Sequence, residues 1–382
     1  MISVICPWLR IVLGLCLATV CAGLAEANPS DAYSSKKAMQ FAVRHLLNIQ
    51  DKHGLFVYDY DLKGNEPTGK NNVVRQAGTA YGLAEYFVRH PSPEIKIALR
   101  RALSALHEIS VRYGKSQAHL VTEMRTVEKA KTGATALALL TEVQYYRATK
   151  DDRFKEFRSH WLNGLFAMRL DGKAFRKKPR SRKESPYYNG EAWLALAYYQ
   201  DTFSDRETAD ALAKLDEYLI KKYTAEPEIG FFHWGVMAAA VRYSTTGSAK
   251  HVKFIEAQTK SFLDQLRPIP HPKANTCYAL EGLLTAFVVL ADRPESSALQ
   301  ARLKPRIALE VKKNLALQIR PGYKIQPRLG HNSLAPIAAD YVGAFLGRSY
   351  SDYTRIDYTQ HCLSALVKLH TNKKLEYVFL SE

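Results

Sequence analysis

Cysteine is scarce in this chain and unevenly spread. Five occur in 382 residues, and Cys6, Cys16 and Cys21 crowd the first twenty-one, leaving Cys277 and Cys362 for everything downstream. Two thiols cannot frame a disulfide scaffold, so a chain this long must be held by core burial. Acidic residues are in deficit, 37 against 54 lysines and arginines, for a formal charge of +17. A field of that sign favours uronic-acid or phosphate polymers, anionic membrane surfaces or nucleic acid. No glycine-, serine- or proline-rich linker divides the chain. No P-loop, dinucleotide glycine motif, His-Glu-x-x-His or Gly-x-Ser-x-Gly occurs, which argues against a nucleotide cofactor, a zinc protease or a serine hydrolase.

Long apolar runs are missing too, except near the start. Arg10 precedes Ile11-Val12-Leu13-Gly14-Leu15-Cys16-Leu17-Ala18, and Ala25-Glu26-Ala27 follows as a small-x-small cleavage signal. The run is too short to span a bilayer and is shaped like a secretory signal. The reading is a signal peptide over residues 1–27, a single domain over 28–382, no transmembrane segment after cleavage, and a periplasmic or secreted location. Export makes nucleic acid the least suitable acidic partner and leaves an acidic polysaccharide or oligosaccharide as the best one.

What the chain has in abundance is a repeat. Small-residue segments start at Gly78, Gly133, Gly190, Gly235, Thr276 and Gln360-His361, a mean spacing of about 57 residues, or one helical hairpin with a long loop. Small residues on all sides suit crowded inner helices, and the amphipathic stretches between them suit an outer ring. Six hairpins read as an all-α fold, a closed (α/α)6 toroid. Connections after each inner helix are brief and polar, as in Thr149-Lys150-Asp151-Asp152. Those before it are longer, roughly 52–73, 114–131, 171–189, 224–232, 268–275 and 318–356. Alternation places all the long loops at one mouth, where the inner helices begin and offer free N–H groups and positive dipole ends.

Candidate site residues follow from that placement. The first hairpin offers Tyr58, Asp59, Tyr60, Asp61, Arg75 and Gln76; the third offers Tyr187, Tyr188, Asn189 and Glu191; the fourth offers His233 and Trp234. The fifth adds Asn275 and Tyr278, and the sixth adds Arg355, Asp357, Tyr358, Gln360 and His361. Rings for apolar sugar faces, set among carboxylates, amides and guanidinium groups for hydroxyls, suit a sugar site. Glu191 and Asp357 form the leading catalytic pair, since two carboxyl groups across a glycosidic bond supply acid and base or acid and nucleophile. Each sits in an inner helix's first turn, where an acid also serves as a cap. His233 and His361 are the rival pair, able to move a proton on and off a sugar carbon. Cys277 and Cys362 can pair, stay as small buried thiols, or join His361 in a sparse zinc set; no metal and no cofactor is expected. The cluster from Lys173 to Lys183 is a solvated loop or an electrostatic guide beside the mouth.

The segments Val74-Arg75-Gln76-Ala77-Gly78-Thr79, Tyr188-Asn189-Gly190-Glu191-Ala192 and Ile356-Asp357-Tyr358-Thr359-Gln360-His361 give the chain a resemblance to six-hairpin α/α-barrel carbohydrate-active enzymes. These are the N-acylglucosamine 2-epimerase and aldose–ketose isomerase group, the glucuronyl C5-epimerase C-terminal domain, and the unsaturated glucuronyl hydrolases. The resemblance implies catalytic histidines where His233 and His361 fall. This chain has Val236 where the 2-epimerase group carries an acid, and Thr132 where the glucuronyl hydrolases carry an aspartate. The leading expectation is a glycoside hydrolase acting on an anionic polysaccharide. The alternatives are a sugar epimerase or isomerase, and a non-catalytic glycan-binding or envelope polysaccharide assembly factor.

Overall fold

The computed structural model describes residues 34–114, 117–291, 293–323 and 337–380. The expected signal peptide and part of the sixth long loop lie outside these residues. In chain order the helices are α1 (Ser35–Asn48), α2 (Val73–Arg89), α3 (Pro93–Glu108), α4 (Thr132–Thr149), α5 (Lys155–Ala167), α6 (Pro186–Phe203), α7 (Arg206–Ala225), α8 (Ile229–Thr246), α9 (Ala249–Ser261), α10 (Cys277–Leu290), α11 (Ser297–Leu315), α12 (Ile356–Thr371) and α13 (Lys373–Leu380).

The even-numbered helices α2 to α12 pack each against the next, and α12 returns to α2, so the inner ring is closed. The odd-numbered helices lie behind them, with α1 against α12 and α11 against α10. Composition explains the division. Helix α3 buries Ile95, Ala98, Leu99, Ala102, Leu103 and Leu106 at the three- and four-residue spacing of one apolar stripe. Helix α4 buries every residue from Thr132 to Tyr145 and has no polar face to speak of. Inner helices approach so closely that a Cβ added at Gly282 would stand 3.0 Å from His233 Cα. Only glycine fits that crossing of α10 and α8.

Local chemistry sets the ends. The Asn72 side chain accepts from the amides of Val74 and Arg75 to start α2, Ser92 caps α3 ahead of Pro93, and Asp205 caps α7. Lys150, Ser204 and Gly247 end α4, α6 and α8 in the left-handed region, reversing the chain within a few residues.

Every named strand lies in the connections that lead into inner helices. A three-stranded antiparallel sheet joins β2 (Glu66–Pro67), β1 (Asp59–Asp61) and β7 (Tyr353–Arg355); ribbons pair β3 (Ser110–Arg112) with β4 (His119–Val121) and β5 (Arg169–Leu170) with β6 (Ala174–Phe175). Because β1 pairs with β7 through Asp59–Arg355 and Tyr60–Thr354, the first and sixth hairpins are sewn together where the ring closes. One expectation needs correction. The fourth connection, read as a loop over 224–232, is only residues 226–228, because α7 runs to Ala225 and α8 begins at Ile229. Its aromatic residues, Phe231 and Phe232, belong to the helix itself, whose first turns are buried.

Cys277 and Cys362 form a disulfide between the first residue of α10 and the second turn of α12, one turn further in than the sequence suggested for Cys362, closing a sequence separation of 85 residues. Neither is a free thiol, so the zinc set with His361 does not exist. We expect the double variant Cys277→Ser/Cys362→Ser to lose about 2–5 kcal/mol of stability, the usual scale for a native disulfide. Urea unfolding of oxidised wild type and variant measures this, and an unchanged midpoint would show that the ring needs no staple here.

Candidate active site

The N-termini of the inner helices converge on a cavity of about 450 Å³. It is lined by Arg75 from α2, Tyr187, Tyr188 and Glu191 from α6, His233 and Trp234 from α8, Tyr278 from α10, and Arg355, Asp357, Tyr358, Gln360 and His361 at the start of α12. Five inner helices thus deliver titratable groups to one space.

Glu191 is buried, and its Oε2 has no hydrogen-bond partner. Burial pushes its pKa well above 4.5, which favours the neutral, protonated form over the carboxylate. Room for it comes from α4: a Cβ on Gly133 would stand 2.1 Å from Glu191 Oε2 and 2.5 Å from the Tyr188 ring. Asp357 has opposite surroundings. The Arg355 guanidinium grips both its oxygens at 2.7 and 2.8 Å, and Arg75 Nε adds a contact at 3.1 Å. Burial alone would lower the Arg355 pKa, but its bonds to Asp357 outweigh that and raise it. Arg355 also lies over the Tyr358 ring at 4.4 Å.

His233 is buried with no partner on either ring nitrogen. Burial, then the nearby His361 and Lys368, push its pKa well below 6.5, so it is a neutral imidazole. His361 stands with its ring 5.5 Å from that of His233. Its Nδ1 is 2.7 Å from Glu281 Oε1, which leaves Nε2 as the lone pair directed to other work. Burial raises the Glu281 pKa, partly offset by His361. Sequence reasoning passed over Glu281. The signal was available: a glutamate inside the otherwise apolar Cys277-Tyr278-Ala279-Leu280-Glu281-Gly282 needs a partner.

Other candidates are placed differently. Gln76 spends its amide on the Phe56 backbone, at 2.8 and 2.7 Å, and on Asn71, so it anchors the strand segment and does not face the cavity. Asn189 is likewise committed to Phe175, Glu184 and Tyr223. Tyr58 is buried and bonds its hydroxyl to Arg75. With Asp59, which accepts from Thr68, it lines an adjoining cavity of about 330 Å³ that also holds Asp61 and Arg355. Tyr60 stacks on Tyr341 at 3.7 Å, a packing role. Asn275 does line the main cavity, while its amide donates to the Leu346 carbonyl and its oxygen accepts from the Cys277 amide. Tyr187 is 46% exposed and stands at the rim as a platform.

Two outcomes check this geometry. Gly133→Ala must displace the Glu191 carboxyl or Tyr188, so it should cost about 1–3 kcal/mol by overpacking and disturb ligand binding more than a surface Gly→Ala change. Unaltered binding would show that the carboxyl moves freely. The second concerns pH. Glu191 holds its proton more tightly folded than unfolded, so its stabilising contribution is full below the ordinary value of 4.5 and is lost as pH rises. Glu191→Gln should therefore gain stability relative to wild type between about pH 5 and 8. A pH-independent difference in denaturation midpoints would contradict the buried neutral acid.

No protein-family model matches the chain, and no curated protein sequence matches it. Solved structures do. The α-1,6-mannanase GH76A from Salegentibacter sp. HEL1_6 superimposes with a TM-score of 0.64 at 11% identity, covering 88% of this chain and 98% of that one. An unsaturated glucuronyl hydrolase specific for heparin gives 0.60 at 13% identity, over 89% and 98%. A sugar epimerase from a ruminal bacterium gives 0.60 at 10%, over 88% and 98%. What is shared at such identities is the architecture, and by it this chain is an (α/α)6 toroid of the six-hairpin kind that these carbohydrate-active enzymes also adopt.

Proposed function

We propose that the protein is an exported, periplasmic or secreted carbohydrate-active enzyme that hydrolyses glycosidic bonds in an anionic polysaccharide. One observation carries the reading: two carboxyl groups share a cavity in opposite surroundings, Glu191 buried with its Oε2 unpartnered, Asp357 held by two guanidinium groups. Surroundings that separate two carboxyl groups in this way assign acid and base roles. Glu191 gives its proton to the glycosidic oxygen as the bond to the anomeric carbon breaks. Asp357 supplies negative charge to the oxocarbenium-like centre or orients the attacking water. Tyr187, Tyr188, Trp234 and Tyr358 offer faces for sugar rings.

The mannanase from Salegentibacter is inactive when two adjacent aspartates are replaced. The single adjacent pair in this sequence, Asp151-Asp152, lies beyond the C-terminus of α4, where Arg100 and Arg153 hold Asp151 and Arg158 holds Asp152. Hydrolysis here rests on Glu191 and Asp357 instead. The disulfide supports export, since such bonds persist in oxidising compartments. No helix among the described residues is long and apolar enough to cross a membrane.

The anionic substrate is argued from charge and from the basic loop between α5 and α6. The Arg176 carbonyl in that loop accepts from Thr132 at the start of α4, which places it on the cavity's side of the ring. Arg176 bonds the Ser181 carbonyl and Arg180 lies 3.6 Å from Glu128, while Lys177, Lys178, Arg182 and Lys183 are exposed. Replacing these last four with Ser should weaken binding of an acidic polymer at low salt, and the deficit should shrink as salt screens the native contribution. Equal low-salt binding would leave the loop as ordinary solvated surface.

A second reading has its own observation. His361, oriented by Glu281, faces the bare His233, an arrangement fit to move a proton between sugar carbons. Turnover separates the two. In a hydrolase, Glu191→Gln or Asp357→Asn should cut reducing-sugar release by roughly a hundredfold or more. Near-native turnover in both, with loss in His233→Ala and His361→Ala and solvent deuterium entering an unreleased sugar, would select the epimerase or isomerase. Tight binding with no turnover in wild type would select a glycan-binding or assembly factor.

A further inference from the structure

Away from the cavity, three histidines from three separate elements meet on the outer wall. His107 lies in the last turn of α3, His119 opens β4, and His160 lies within α5. One ligand nitrogen from each ring falls within 4.8 Å of the others, and His107 Nε2 is 3.1 Å from His160 Nδ1. The rings pack closely: His119 and His160 have centroids 4.0 Å apart, and His107 lies flat on Phe157 at 3.7 Å.

We propose that His107, His119 and His160 bind a divalent transition-metal ion of the zinc, copper or nickel class. Structural histidines usually satisfy their buried nitrogens, yet His119 Nδ1 is buried with no hydrogen-bond partner. With its Nδ1 turned to His107, His160 presents Nε2 to Glu156 Oε1 at 3.7 Å; a carboxylate behind a ligating imidazole fixes the ring and raises its basicity. Metal–nitrogen bonds of about 2.0–2.1 Å in a tetrahedron put ligand nitrogens roughly 3.4 Å apart. That value lies inside the spread observed here, so small side-chain rotations close the set. Three imidazoles select a borderline transition ion over magnesium or calcium, which take oxygen ligands. His107 and His119 are partly exposed, giving an entry path and a fourth position for water.

The ion would be a brace and would take no part in the chemistry of the cavity. His107 ends α3 just before β3 and His119 opens β4, so coordination ties that ribbon to α3 and α5. The same connection carries Glu123, whose carboxylate accepts from the Val73 amide and pairs with Lys131 at the starts of α2 and α4.

The test uses chelator-treated full-length protein titrated with ZnCl2 against a chromophoric competitor. Wild type should bind a single equivalent and melt at a higher temperature with ZnCl2 than with MgCl2. His119→Gln should weaken zinc binding by about tenfold or more and abolish the thermal gain. CoCl2 should give visible absorption from a nitrogen-rich site in wild type and not in the variant. His160→Ala tests a second ligand; because His160 is buried, a misfolded product shifts the decision to partly exposed His119 and His107→Gln. No zinc bound by wild type, or binding that both single Gln variants retain undiminished, would overturn the assignment.

Discussion

Closure of the inner ring is the constraint on which the rest of this structure depends. Six helices can surround one axis only if their facing surfaces are thin, which is why α4 buries all of its first fourteen residues and α10 must be glycine where it crosses α8. The outer helices then cover the apolar backs of the inner ones, an arrangement that excludes water on every side except the two ends. Alternating direction brings all the inner N-termini to one end. The mouth is therefore a consequence of the packing, and the loops that decorate it were free to lengthen without disturbing the core.

The same exclusion of water makes the chemistry. The sequence suggested a first-turn acid, but Glu191 is the sixth residue of α6 and lies deeper than a cap. It is set against α4 at a glycine, with nothing to bond Oε2, and burial raises its pKa well above the ordinary carboxylate value. Asp357, only one cavity width away in kind, is ringed by two guanidinium groups because β7 and the start of α2 bring Arg355 and Arg75 to it. The difference between the two acids lies in their surroundings, not in their residue type.

The disulfide and the Glu281–His361 contact join the same two helices, one turn apart on α10. The covalent bond ties the start of α10 to the second turn of α12, and the buried Glu281–His361 contact beyond it then sets the imidazole. A staple that looks purely structural thus also orients a cavity side chain. The Asp216 carboxylate acts comparably at the back of the ring, gathering Arg242, His251 and Trp193 from three neighbouring helices.

Much of this was legible in one dimension. Hairpin number, the inner and outer classes of helix, and the end at which polar and aromatic residues gather all follow from periodicity and loop length, which are local properties of the chain. Glu191, Asp357, His233 and His361 were reachable because each lies within the first two turns of an inner helix. Local pattern could not say that Gln76 and Asn189 are committed to partners in neighbouring loops and helices, that Tyr58 serves Arg75, or that the fourth connection is three residues long. Nor could it pair Cys277 with Cys362 or put Glu281 behind His361. Those facts depend on which atoms meet across sequence separations of tens of residues, and only closure of the ring, by bringing α12 to α2 and β7 to β1, determines that.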